Sequence, residues 1–117
     1  MTARLASGIA VAALTRRVQS AGGNVSVLAR GDETAGAILL VIASRGRTTR
    51  LLTRRLDAAG AYVWDDIALP SPAGGDSEVS AVDELVDRAR RRDPDLWVVE
   101  LDIADAQRFA DDLITSG

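Results

Sequence analysis

Five consecutive aliphatic residues, Ile38-Leu39-Leu40-Val41-Ile42, constrain the fold of this chain more than any other feature. Strand side chains alternate between faces, so a run with no polar member has two apolar faces. It belongs at the centre of a sheet, covered on both sides. A second such run, Leu96-Trp97-Val98-Val99-Glu100-Leu101, is interrupted only by Glu100. Neither approaches the roughly 20 apolar residues that a membrane-spanning helix needs. The spacing of turn formers then sets what lies around these two strands.

Apolar residues at helical spacing (Ser7, Val11, Leu14, Val18 and Ala21, widened by Ile9) predict a first helix over about 4–21, stopped by Gly22-Gly23. Arg4 and the apolar stretch Leu5–Leu14 have the length of a signal-peptide core. Thr15-Arg16-Arg17 follows without a small-residue cleavage site, so the helix reading is preferred. Residues 24–30 alternate, with Val25 and Val27 opposite Ser26, and read as a half-buried strand. Gly31 to Gly36 then read as the loop of a β-hairpin onto the strand at 37–44. Tight turns at Arg45-Gly46-Arg47 and Asp57–Gly60 predict further strands over 48–56 and 61–67, an antiparallel meander. Pro70, Pro72, Gly74 and Gly75 mark a loop.

A helix capped by Asp76 or Ser77 should run to about Arg91 and bury Val79, Val82, Val86 and Ala89, with Leu85 beside them. Its early acids and the late Arg88, Arg90, Arg91 and Arg92 complement the helix dipole. Asp93-Pro94-Asp95 ends it, the strand at 96–101 follows, and Asp102 caps a last helix over about 103–114 burying Ile103, Ala106, Phe109, Ala110 and Leu113. The expectation is one α+β domain, residues 1–117, in the order α-β-β-β-β-α-β-α. It is an antiparallel sheet of about five strands with helices packed mainly on one face.

Function is constrained mostly by exclusion. The chain has no Cys and no His, which removes disulfides, thiolate sites, a Cys nucleophile and the usual neutral-pH base. All 14 basic residues are Arg, so no Lys can activate a Ser or Thr. No Walker or dinucleotide glycine spacing occurs. Carboxylate pairs at Asp65-Asp66, Asp93-x-Asp95 and Glu100-x-Asp102 are the remaining metal candidates; their plain readings are a turn, a helix stop and a cap. No cofactor is implied. Charge is divided unevenly: residues 1–56 hold nine Arg and two acids, and residues 57–117 hold five Arg and fifteen acids. Arg45, Arg47, Arg50, Arg54 and Arg55 lack an acid between Glu33 and Asp57 and form the candidate partner surface. Strict alternation sets Arg45, Arg47 and Arg55 on one face and Arg50 and Arg54 on the other, a pattern suited to an edge strand.

The string Asp93-Pro94-Asp95-Leu96-Trp97-Val98-Val99-Glu100 resembles a family of short bacterial proteins known as domain of unknown function 1491. Arg4-Leu5 with Leu14 and Arg16-Arg17, and Arg30-Gly31-Asp32 before Ala35-Gly36-Ala37, carry the same resemblance. In the family pattern an acidic pair tends to follow the strand, whereas Leu101 here precedes Asp102. The resemblance implies no activity, cofactor or catalytic residue. Pro94 and Trp97 are expected to be structural, Pro94 ending the helix and Trp97 in the core. The functional expectation is a soluble, cytoplasmic, non-catalytic interaction or adaptor module that binds an unknown protein or itself. An Arg-mediated RNA or anionic-ligand binder comes second and a carboxylate-metal hydrolase third.

Overall fold

The computed structural model describes residues 6–70 and 77–115. Its elements are α1 (Ser7–Ser20), β1 (Asn24–Ala29), β2 (Ile38–Ser44), β3 (Arg47–Leu56), β4 (Tyr62–Ile67), α2 (Glu78–Arg92), β5 (Trp97–Asp102) and α3 (Ala106–Thr115). The α+β class and the order of elements are as the sequence predicts. The sheet order is β1-β5-β2-β3-β4. Three neighbour pairs are antiparallel, but β2 and β5 run parallel, so the sheet is mixed rather than antiparallel throughout.

The expected hairpin between β1 and β2 does not form, because β5 lies between them. Burial explains the exchange. All of β5 except Glu100 and Asp102 is buried, whereas β1 is exposed or half-buried along its length. The most apolar late strand therefore takes the interior position and the alternating strand goes to the edge. Residues 30–37 are long enough to pass over the end of β5 and bridge about two strand spacings, roughly 10 Å.

Two cores lie on opposite faces of the sheet. On one, Ala10, Val11, Leu14 and Val18 of α1 and Ala106, Phe109, Ala110 and Leu113 of α3 cover Leu40, Leu52, Trp97, Val99 and Leu101. On the other, Val82, Leu85, Val86 and Ala89 of α2 cover Leu39, Val41, Leu51 and Val98. Two helices thus share one face and the third covers the other. Three residues expected in the helix stripes are exposed: Ile9, on the outer side of α1, Ala21, just past its end, and Val79, in the first turn of α2. Ser77 caps α2, its hydroxyl accepting from Ser80 N at 3.1 Å. Asp76 and the loop residues Pro72, Gly74 and Gly75 lie outside the described residues.

Candidate functional site

Two of the patches that carry the family resemblance, the connector at 30–37 and the start of the string at 93–97, meet at one end of the sheet, where they hold the fold; Arg4 and Leu5 lie outside the described residues. Asp32 N donates to Asp95 O at 3.0 Å, Trp97 N to Ala37 O at 2.8 Å, and the Trp97 indole to Asp32 O at 2.8 Å. Gly31 and Gly36 press against the Asp95 carbonyl, where a Cβ on either would collide. Ser7, at the start of α1, joins the same knot through its hydroxyl to Gly36 O at 2.7 Å. One guanidinium nitrogen of Arg90 donates to Pro94 O at 2.6 Å, Leu96 O at 2.9 Å and Arg30 O at 3.2 Å. Trp97 is 2 % exposed, in the core as expected. Pro94 follows α2 directly, on the chain's path to β5.

The arginines of the candidate surface are dispersed. β3 lies between β2 and β4, so it is an interior strand and the edge expectation is corrected. Arg50 pairs with Asp66 at 2.8 Å and also donates to Gln107 of α3. Arg55 pairs with Asp65 on the opposite face. Arg54 is buried, its guanidinium carbon 4.1 Å from the centre of the Tyr62 ring. Desolvation pushes the Arg54 pKa below its ordinary value, with Tyr62 acting in the other direction. A bulge sets Ile42 opposite Arg50 but Ala43 opposite Thr48, which moves Arg47 to the face of Arg50 rather than that of Arg55. Arg45 sits in the two-residue turn with φ +54°, beside Gly46 at φ +79°. That is the twist a tight hairpin demands, and Arg is poorly suited to it.

Asp102 ends β5 rather than capping a helix, and its carboxylate accepts from the backbone N–H groups of Arg45 and Gly46 at 3.3 and 3.1 Å. The acid of Asp93 accepts from Asp95 N at 3.1 Å. With Asp65 and Asp66 on opposite faces, the carboxylate pairs do not converge. No three acids among the described residues are placed to hold a metal ion.

Glu100 differs from the other members of its string. It is half-buried on the α2 side of the sheet, opposite Ser26 of β1 and Val41 of β2. It lines a groove of about 390 Å³ between α2 and the β1 edge of the sheet. Val82, Val86 and Val41 form the apolar interior of that groove, with Leu28, Val79, Gly46 and Thr48 at its margins and Asp83 and Asp87 along the helix wall. Leu28 and Val79 are 50 % and 65 % exposed, high for aliphatic residues at a shared opening. Asp83, Asp87 and Glu100 form no ion pair or side-chain hydrogen bond among the described residues. The groove therefore combines uncovered aliphatic surface with three uncompensated carboxylates, a chemistry suited to a cation on an apolar chain. Sequence reasoning had noticed Glu100 as an acid closing an apolar strand. In the sequence Asp83 is one of the early acids of its helix and Val79 part of the apolar stripe, and nothing in the spacing distinguishes those roles from lining a groove.

A family model described as a protein of unknown function (DUF1491) matches residues 5–111. Among solved structures, the crystal structure of a DUF1491 family protein from Caulobacter crescentus is 35% identical and covers 90% of this chain and 94% of that one, with a TM-score of 0.70. The NMR structure of a DUF1491 family protein from the same organism is 32% identical, covers 92% and 94%, and gives 0.72. The solution structure of a protein from A. tumefaciens is 30% identical, covers 88% and 89%, and gives 0.67. Comparison with curated proteins finds no match.

Proposed function

The chain belongs to the DUF1491 family of proteins of unknown function, and from that premise we propose that it acts by binding, as a small protein-interaction module whose docking surface is the groove between α2 and β1. One observation carries the reading: Leu28 and Val79 stand exposed at a single opening beside Asp83, Asp87 and Glu100, acids with no ion pair among the described residues. The partner chemistry is a polypeptide segment that combines Arg or Lys with aliphatic residues. Selection from a displayed random-peptide library, counter-selected with the Asp83→Arg/Glu100→Arg variant, tests it. Enrichment of basic–aliphatic peptides that the variant fails to hold is expected. No enrichment, or enrichment the variant retains, overturns the groove.

A second reading, binding of RNA or an anionic ligand through Arg45 and Arg47, is favoured by their exposure at the β2–β3 turn. Arg47, Arg50, Arg54 and Arg55 all have partners inside the chain, which leaves that surface weaker than its sequence suggests. Titration of labelled RNA at two salt concentrations separates it, because phosphate binding weakens steeply as salt rises. Light scattering reads self-association in the same samples.

A further inference from the structure

We infer that the partner segment docks in extended form, as a sixth strand on the free edge of β1, and reaches across Ser26 to place a Lys or Arg side chain on Glu100. The inference rests on the groove being the docking surface and adds the conformation and register of what fills it.

Among the described residues β1 is an edge strand whose only neighbour in the sheet is β5. Its pairing with β5 is regular from Asn24 to Val27, and the register shifts only after Val27. Along this uninterrupted ladder every second residue turns its backbone N–H and C=O away from β5, toward an edge that no other strand covers among the described residues. Proteins ordinarily blunt such an edge with charge or proline. Asn24–Ala29 has neither, whereas the opposite edge, β4, carries Asp65 and Asp66. The bulge at Leu28 does not close the ladder, and Leu28 lines the groove.

The two faces of an added strand would meet different chemistry. On the α1 side it finds Val25 and Val27, the latter 42 % exposed. On the α2 side it finds Ser26, with Glu100 directly behind it on β5 and Asp83 and Asp87 on the helix above. Two strand spacings, about 10 Å, separate a sixth strand from β5. A long cationic side chain and the Glu100 side chain can close that span between them because Ser26 is too small to block it. A segment alternating aliphatic and cationic residues matches both faces at once, which is how strand addition acquires specificity beyond its backbone hydrogen bonds.

The probe is a synthetic ten-residue peptide alternating Val and Arg, compared with a block-order peptide of the same composition and a Val–Glu alternating peptide. The alternating Val–Arg peptide should bind at least tenfold tighter than either control, weaken with added salt, and slow hydrogen exchange of amides in Asn24–Val27. Ser26→Arg, which places a cation of the chain itself beside Glu100, should reduce binding at least tenfold with an unchanged melting temperature. If that variant misfolds, Glu100→Gln serves the same purpose. Binding without protection of β1, or equal binding of the block-order peptide, overturns strand addition while leaving the groove in place. Failure of the alternating peptide while displayed peptides are still selected has the same meaning. Failure of both overturns the two together. A dimer in light scattering that Ser26→Arg dissolves would show a second copy on the edge and overturn the peptide partner.

Discussion

Replacing Arg90 by Met separates two accounts of the arginine-rich end of α2 by magnitude alone. As a cation complementing the helix dipole, any of Arg88–Arg92 contributes about 0.3–1 kcal/mol. Arg90 does more, because its guanidinium ties together carbonyls from three places in the chain: Arg30 after β1, Pro94 in the helix stop, and Leu96 at the start of β5. A hydrogen bond from a charged donor contributes about 1.5–3 kcal/mol net. Two of the three contacts are short, and they share one nitrogen and a half-buried site, so their sum is discounted to about 2–4 kcal/mol. Met retains the aliphatic stem and removes only the donors. Arg91 is the control, exposed on the same turn and with no hydrogen bond among the described residues. Urea denaturation should show Arg90→Met losing about 2–4 kcal/mol and Arg91→Met less than about 1. With a slope of about 1–3 kcal/mol per molar urea, the first corresponds to a midpoint shift on the order of 1 M or more. If the two variants fall within about 1 kcal/mol of each other, the three-carbonyl latch is not a stability element and the dipole account suffices.

Trp97→Ala should cost about 3–5 kcal/mol in the same assay, the range for a buried Trp; a loss under about 1 kcal/mol would contradict its burial. Arg45→Asn should raise stability by about 0.5–1 kcal/mol, since Asn tolerates positive φ at the first position of a two-residue turn before Gly; a lower melting temperature would refute the strain. The double reversal Arg50→Glu/Arg54→Glu should lose at least about 2 kcal/mol, because it sets one acid against Asp66 and buries another on Tyr62. A loss of about 1 kcal/mol or less, as for exposed pairs, would mean that neither contact matters to the fold.

Much of the fold was legible because its apolar runs are long. Ile38–Ile42 and Leu96–Leu101 could only be covered strands, and each of the three helices has an apolar stripe at the right period. Strand order was not legible. An eight-residue connector with glycines at both ends looks the same whether it closes a hairpin or passes over an intervening strand. The decision belongs to β5, more than sixty residues downstream, whose burial on both faces outweighs the local pairing of β1 with β2. The edge position of β1 follows from that insertion, and with it every property of the docking edge. Asp102 was misread for a related reason: a helix cap is a local pattern, and its actual partners are turn amides nearly sixty residues upstream.

The candidate site shows how fold and binding divide a single motif. In the string from Asp93 to Glu100, Asp93 caps its own turn, Pro94, Asp95 and Leu96 supply carbonyls to the knot, and Trp97, Val98 and Val99 fill the two cores. Each of these residues would be required by the fold even if the protein bound nothing. Glu100 is required by none of those contacts. A half-buried carboxylate with no partner among the described residues carries a desolvation cost that an aliphatic residue in its place would not. The neighbouring positions make the same exception: Val79 leaves an aliphatic side chain in water where the first turn of a helix would take a polar one, and Ser26 leaves a gap where a larger residue would shield the acid. Glu100 and Val79, on two separate elements, open onto one groove, and Ser26 stands beside Glu100 on the edge strand. Under the proposed binding role, a partner would supply the cation that Glu100 lacks among the described residues and the apolar cover that Val79 lacks.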